Sequence, residues 1–181
     1  MIRLFVALAL PQDIRSRMEL LCNGLQGARW VRPESFHLTL RFIGEVDEAR
    51  VEDIDSALKR IRAPRFEIFF EGVDFFGKDR KPHTLFAGVK RNAALTNLHA
   101  KVERAVVSAG LPPDGRKFSP HVTLARLRPR AALDRLGGFV AANAHFRAGP
   151  APIGYFVLFS SFLSRSGAIY SPEAAYPLEG G

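Results

Sequence analysis

The chain has 181 residues, is 47% hydrophobic and 24% charged, and carries a net charge of +8 with one cysteine, Cys22. That length and apolar content can bury a core without a staple, and a lone thiol excludes an internal disulfide. Nowhere do about 18 consecutive apolar residues occur, which excludes a membrane-spanning helix, and the basic balance favours a polyanionic partner because Lys and Arg neutralise phosphates.

Residues 3–10 form a short apolar run ending at Pro11, which predicts a buried strand. The run is at the short limit for a secretory leader, and Pro11-Gln12-Asp13 opens a helix where a cleavage site would stand. Ile14, Met18, Leu21, Cys22 and Leu25 recur at three- and four-residue spacing, predicting an amphipathic helix over 14–25 that Gly24 and Gly27 help to end. After Trp30-Val31, residues 36–43 read as a strand. A turn at 44–47 leads into a helix over 48–61 with Asp47 as its N-cap. Residues 66–73 read as an aromatic-rich strand and 77–82 as a polar loop.

The pattern then begins again. Residues 84–89 read as a strand, 92–109 as a helix through Leu95, Leu98, Val102 and Val106, and 121–127 as a strand after a loop containing Pro112, Pro113 and Gly115. A helix is expected over 131–142 and strands over 153–163 and 168–178. Each half therefore runs strand, helix, loop, strand, helix, strands, and residues 37 and 121, which open the matching strands, stand 84 apart. No Gly/Ser- or Pro-rich linker divides the halves. The expected architecture is α+β: two pseudo-symmetric lobes within one domain spanning 1–181, each a mainly antiparallel sheet with helices on its outer face and a cleft between.

The chemistry lies in His37-Leu38-Thr39-Leu40 and His121-Val122-Thr123-Leu124. On a strand, successive side chains face opposite ways, so His and Thr share one face while the aliphatic pair shares the other and anchors the strand. Two such strands about a pseudo-two-fold axis present two imidazoles and two hydroxyls to one small volume. This is equipment for phosphodiester hydrolysis: one ring accepts a proton from water, the other protonates the departing oxygen, and the hydroxyls bond the phosphate oxygens as charge grows on them. Either motif alone reads as a structural histidine; the repetition is what points to chemistry.

With these motifs the chain resembles the 2H phosphoesterase superfamily, specifically the RNA 2',3'-cyclic phosphodiesterase family, also called 2'-5' RNA ligases. The resemblance covers nearly the whole chain: Arg3-Leu4-Phe5-Val6-Ala7 is similar to the opening strand, His37 to Gly44 to the first motif, Phe118 to Arg126 to the second, and Ser161 to Tyr170 to the closing hairpin. It implies hydrolysis of a 2',3'-cyclic phosphate at an RNA or oligonucleotide end to a 2'-phosphomonoester, without a metal or other cofactor. It further implies His37 as proton donor, His121 as proton acceptor, Thr39 and Thr123 on the phosphate, and Arg126 as positive charge beside it. The near-symmetry of the halves leaves the order of acid and base open to pattern reasoning.

Strand parity raises a question over Arg126. Five residues beyond His121, it faces away on an unbroken strand, and only a bulge or the strand's end returns it. Arg41 has the parity of His37 and Thr39, so it is expected either on the phosphate or on a solvated rim. Phe42 is expected on the apolar face, and most of the 15 phenylalanines, including Phe76 and Phe159, in the core. His99 and His145 read as surface or capping residues, while His83 lies in the loop before the Thr84 strand, a loop placed to approach the cleft. Cys22 reads as a structural thiol, and no metal-ligand spacing, Walker loop or dinucleotide-binding glycine pattern occurs. A cytoplasmic monomer is expected. Two other readings stand beside hydrolysis: a non-catalytic module that holds RNA ends, and 2'-5' ligation, the reverse of the same in-line chemistry.

Overall fold

Apolar residues at two-residue spacing set the strands and those at three- and four-residue spacing set the helices, in a computed structural model that describes residues 1–78, 80–128 and 133–179. In chain order the elements are β1 (Ile2–Ala9), α1 (Gln12–Glu19), β2 (Ala28–Trp30), a 3-10 turn (Pro33–Ser35), β3 (His37–Val46), α2 (Glu48–Lys59), β4 (Phe66–Lys78) and β5 (Lys81–Val89). There follow α3 (Ala93–Ser108), β6 (His121–Leu127), α4 (Leu133–Ala142), β7 (Arg147–Ile153), β8 (Tyr155–Ser164) and β9 (Gly167–Pro177). The strands join in the order β7-β4-β5-β6-β3-β1-β8-β9, with β2 added against β6. Every pairing between these strands is antiparallel.

The order explains why no linker divides the halves. Strand β4 follows the first-motif strand in the chain but pairs with β5 of the second half, and β8 follows the second-motif strand but pairs back onto β1. Each lobe is thus completed by a strand from the other half, and the two meet at the pairing of Leu38 with Val122. The buried residues of α2 and α3, among them Ile54, Leu58, Leu95, Leu98 and Val102, join one core with Leu38, Leu40, Val122 and Leu124. The helices therefore cover the aliphatic face of both motif strands. Among the described residues no helix is long and apolar enough to cross a membrane.

Several boundaries differ from expectation for local reasons. Helix α1 stops at Glu19 because a turn with left-handed Gly24 (φ 77°) intervenes, yet Leu21 and Leu25 still reach the core. The expected loop at 77–82 is the end of a hairpin in which Gly77 opposes Pro82 and Lys78 opposes Lys81. Gly77 allows this with φ 120°, a conformation where a Cβ would strike the Lys81 carbonyl. The expected single strand at 153–163 is broken at Gly154 into β7 and β8; Pro150 and Pro152 mask β7, which tolerates them at the sheet's edge. Asp47 caps α2 as expected, accepting from the Arg50 amide at 2.8 Å. Residues 131 and 132 of the expected helix at 131–142 lie outside the described residues; the rest of it corresponds to α4.

One irregularity recurs in both motifs and resets strand parity. Against β1, Ala7 pairs with Thr39 but Val6 pairs with Arg41, so Leu40 is an extra residue on β3. Against β5, Phe86 pairs with Thr123 but Leu85 pairs with Ala125, so Leu124 is extra on β6. Both motifs therefore bulge at their last leucine, and beyond it the faces exchange. Leu40 and Arg41 are buried in succession, as are Leu124 and Ala125, while Phe42 and Arg126 turn to the outer face.

Arg41 accordingly does not share the face of His37 and Thr39. It is 7% exposed, and its guanidinium donates to the Glu103 carboxylate of α3 and to the carbonyls of Phe42 and Pro112. Glu103 in turn accepts the Asp114 amide at 2.8 Å, so this ion pair ties the first motif to the loop that delivers the second. Removing one partner of a buried ion pair leaves the other charge uncompensated. Arg41→Met is expected to lower stability by about 3 kcal/mol, read as a fall in urea midpoint; an unchanged midpoint would contradict the clamp.

Candidate active site

The register Leu38 to Val122 determines the site. Because these two point into the core, their neighbours His37, Thr39, His121 and Thr123 all point to the other face. Continuing that antiparallel register sets His37 beside Thr123 and Thr39 beside His121, with the pseudo-two-fold axis between them. All four side chains are half-buried, as expected for walls of a cleft rather than of a core.

The rings are held in the same way in both halves. His37 Nδ1 donates to the carbonyl of Ser35 and His121 Nδ1 to that of Ser119, each two residues back and each at 2.7 Å. A carbonyl only accepts, so each Nδ1 carries a proton and each Nε2 is directed to the cleft with its lone pair available. Phe5 (5.0 Å), Tyr170 (5.2 Å, edge-on) and Phe159 (6.5 Å) surround the His37 ring. Phe76 (4.7 Å, edge-on) and Phe86 (5.4 Å) flank His121. Burial lowers the pKa of both imidazoles below the usual histidine value; the carbonyl bonds oppose this, and Arg126 lowers both further. His37 is lowered also by the charge of His121.

The bulge brings Arg126 to the histidine face. Its Nη1 donates to Thr84 Oγ1 at 2.8 Å, and the same hydroxyl bonds His83 Nδ1 at 2.8 Å, so His83 reaches the site's edge through Thr84. Thr84 is 2% exposed and carried no motif that could have singled it out. Phe42 occupies the position in the first motif that Arg126 occupies in the second. It is 41% exposed rather than on the apolar face, because the bulge that buries Arg41 turns Phe42 outward. His99 stacks on Phe118 with ring centroids 3.8 Å apart and lines the groove with Phe42 and His121, whereas His145 is exposed.

Phenylalanine roles also divide more finely than expected. Phe70 and Phe156 are buried core residues, but Phe76 and Phe159 pack on the two histidines and Phe162 is 69% exposed. Composition cannot separate these groups; the pairing of β4 with β5 and of β8 with β1 does. Among the described residues no group of three or more His, Cys, Asp or Glu side chains could hold a metal ion.

The family model described as LigT like Phosphoesterase matches residues 8–86 and residues 88–170, one stretch for each half of the chain. An RNA 2',3'-cyclic phosphodiesterase of Aeropyrum pernix is 36% identical over 141 residues, covering 77% of this chain and 80% of the relative. One from Archaeoglobus fulgidus is 30% identical, covering 93% and 96%. Among solved structures, Escherichia coli LigT complexed with 3'-AMP superimposes with a TM-score of 0.79 at 24% identity, covering 97% of each chain. A Thermus thermophilus protein superimposes with a TM-score of 0.78 at 25% identity, covering 98% of each. With its model matched across both halves and relatives of at least 30% identity along most of its length, the chain belongs to the LigT-like phosphoesterase family.

Proposed function

We propose that the chain hydrolyses the 2',3'-cyclic phosphate at an RNA or oligonucleotide end to a 2'-phosphomonoester, by acid-base catalysis between His37 and His121 without a metal. The observation that carries this reading is the pair of Nδ1-anchored imidazoles on one face of β3 and β6, neither Nε2 bonded to another group among the described residues. The relatives from Aeropyrum pernix and Archaeoglobus fulgidus are named RNA 2',3'-cyclic phosphodiesterases.

In this mechanism water attacks phosphorus in line with the bond to the ribose 3'-oxygen. His121 Nε2 takes the water's proton as the new P–O bond forms, and protonated His37 gives its Nε2 proton to the 3'-oxygen as that P–O bond breaks. Thr39 and Thr123 donate hydroxyl hydrogen bonds to the non-bridging oxygens, and Arg126 offsets the charge that grows there. The groove beside His121, lined by Ser119, Arg116 and Lys117, supports its role as the ring that meets water, and the deeper burial of His37 among Phe5, Phe159 and Tyr170 supports its place on the leaving side. The duplicated lobes act as one domain over residues 1–181, and one copy of the chain carries the whole site. Arg41 has no part in phosphate binding.

His37→Ala and His121→Ala are each expected to reduce kcat at least about 10²-fold on a cyclic-phosphate-ended oligonucleotide, with turnover by the unmodified protein unaffected by chelator. Full activity in either variant would refute the assignment.

The pH profile carries a sign. The acid must be protonated and the base neutral, so kcat/KM falls below the lower of the pair's two pKa values and above the higher. Burial pushes both imidazoles down, so both limbs belong below about pH 6.5, the ordinary histidine value. In the complex the phosphate anion favours the charged imidazole, moving the kcat profile to higher pH than that of kcat/KM. A kcat/KM maximum well above pH 7 would contradict this electrostatic account.

A further inference from the structure

Beside the histidine face lies a slot of about 190 Å³ whose walls include Arg29, Trp30, Arg32, Arg126 and Tyr170. It abuts the site directly: Ser35 lines the slot and its carbonyl holds His37 Nδ1, and Tyr170 lies edge-on to the His37 ring at 5.2 Å. Arg29 is the cross-strand partner of Arg126, so β2, the strand with no periodic signal in the sequence, serves to line up guanidinium groups along one rim. Among the described residues neither Arg29, Arg32 nor Arg126 has a carboxylate within ion-pair distance. Three guanidinium groups around so small a volume, with no carboxylate partner among the described residues, leave a strongly positive slot, suited to a phosphate rather than to a neutral group.

The pseudo-symmetry of the fold supplies the contrast. The residue 84 positions beyond Arg32 is Arg116, which lines the matching groove on the His121 side with Phe42, Lys117 and Phe118. There the guanidinium is bound by Asp114, from Nε at 3.1 Å and from Nη2 at 3.2 Å, and where the first groove has Arg126 the second has Phe42. One side of the cleft is thus built for an anion, and its counterpart has spent its arginine on a carboxylate and keeps Lys117 as its unpaired cation among the described residues.

Resting on the cyclic-phosphate reading above, we propose that the slot of Arg29, Trp30 and Arg32 beside Arg126 is a second-phosphate subsite. It takes the 3'-5' phosphodiester that precedes the cyclic phosphate, so the substrate is an oligonucleotide end rather than a cyclic mononucleotide. The RNA strand consequently leaves the cleft over the first motif's side, with its backbone along β2 and the hairpin turn at Ser166.

The test compares 2',3'-cyclic AMP with a diadenylate ending in a 2',3'-cyclic phosphate. The unmodified protein is expected to prefer the dinucleotide by about tenfold or more in kcat/KM, expressed in KM and weakening as salt rises. Arg29→Ala/Arg32→Ala, both exposed positions, is expected to lose most of that preference while hydrolysing 2',3'-cyclic AMP as before, whereas Arg116→Ala/Lys117→Ala keeps it. Equal constants for the two substrates, a preference that survives in Arg29→Ala/Arg32→Ala, or its loss in Arg116→Ala/Lys117→Ala would each overturn the subsite and leave the cyclic-phosphate reading standing. Failure of the unmodified protein to hydrolyse either substrate would remove that reading, and the subsite with it.

Discussion

The pairing of Leu38 with Val122 is the constraint from which the rest of the molecule follows. It is a modest contact, two aliphatic side chains pressed into the core where β3 meets β6. Because side chains alternate along a strand, burying these two commits His37, Thr39, His121 and Thr123 to the opposite face. A shift of one residue on either strand would send one histidine into the core and expose a leucine in its place. The hydrophobic effect thereby sets the register of polar groups that it does not itself contact.

Two further features keep that register. The exchange of β4 and β8 between the halves makes each lobe's sheet depend on the other, so the motif strands are flanked on both sides by paired strands and have no free edge along which to slip. The Arg41 guanidinium then fastens β3 to Glu103 and to the loop around Pro112 and Asp114. The loop leads directly to Ser119, whose carbonyl orients His121. A buried cation in the first motif therefore helps to aim the histidine of the second.

Much of this was legible in the sequence because it rests on periodicity. The two motif strands, the aliphatic anchors, helix α3 with its buried Leu95, Leu98, Val102 and Val106, and the Asp47 cap all follow from spacing and side-chain type. The bulges at Leu40 and Leu124 were not legible, since an extra residue leaves no mark in composition and is set by how neighbouring strands twist and pack. Strict alternation therefore assigned Arg41 to the polar face and Phe42 to the apolar one, while for Arg126 it raised the very exception that occurs. Strand β2 escaped notice because three residues are too few to display a period, and most of β7 because Pro150 and Pro152 break its strand pattern. The aromatic groups around the two histidines depend on which strands pair, which is long-range information that no local window contains.

The near-symmetry of the fold and the asymmetry of its charges belong together. Duplication supplies two equivalent imidazoles, but a reaction with one nucleophile and one leaving group needs them to differ, and the differences lie around the rings: His37 is the more deeply buried, among Phe5, Phe159 and Tyr170, while His121, beside Phe76 and Phe86, opens on the groove of Arg116 and Lys117. The decisive measurement is a crystal structure of the protein with inorganic phosphate. The account requires one anion whose oxygens lie within about 3.1 Å of Nε2 of both His37 and His121, and an anion held by one ring alone, with the other turned away, would contradict it.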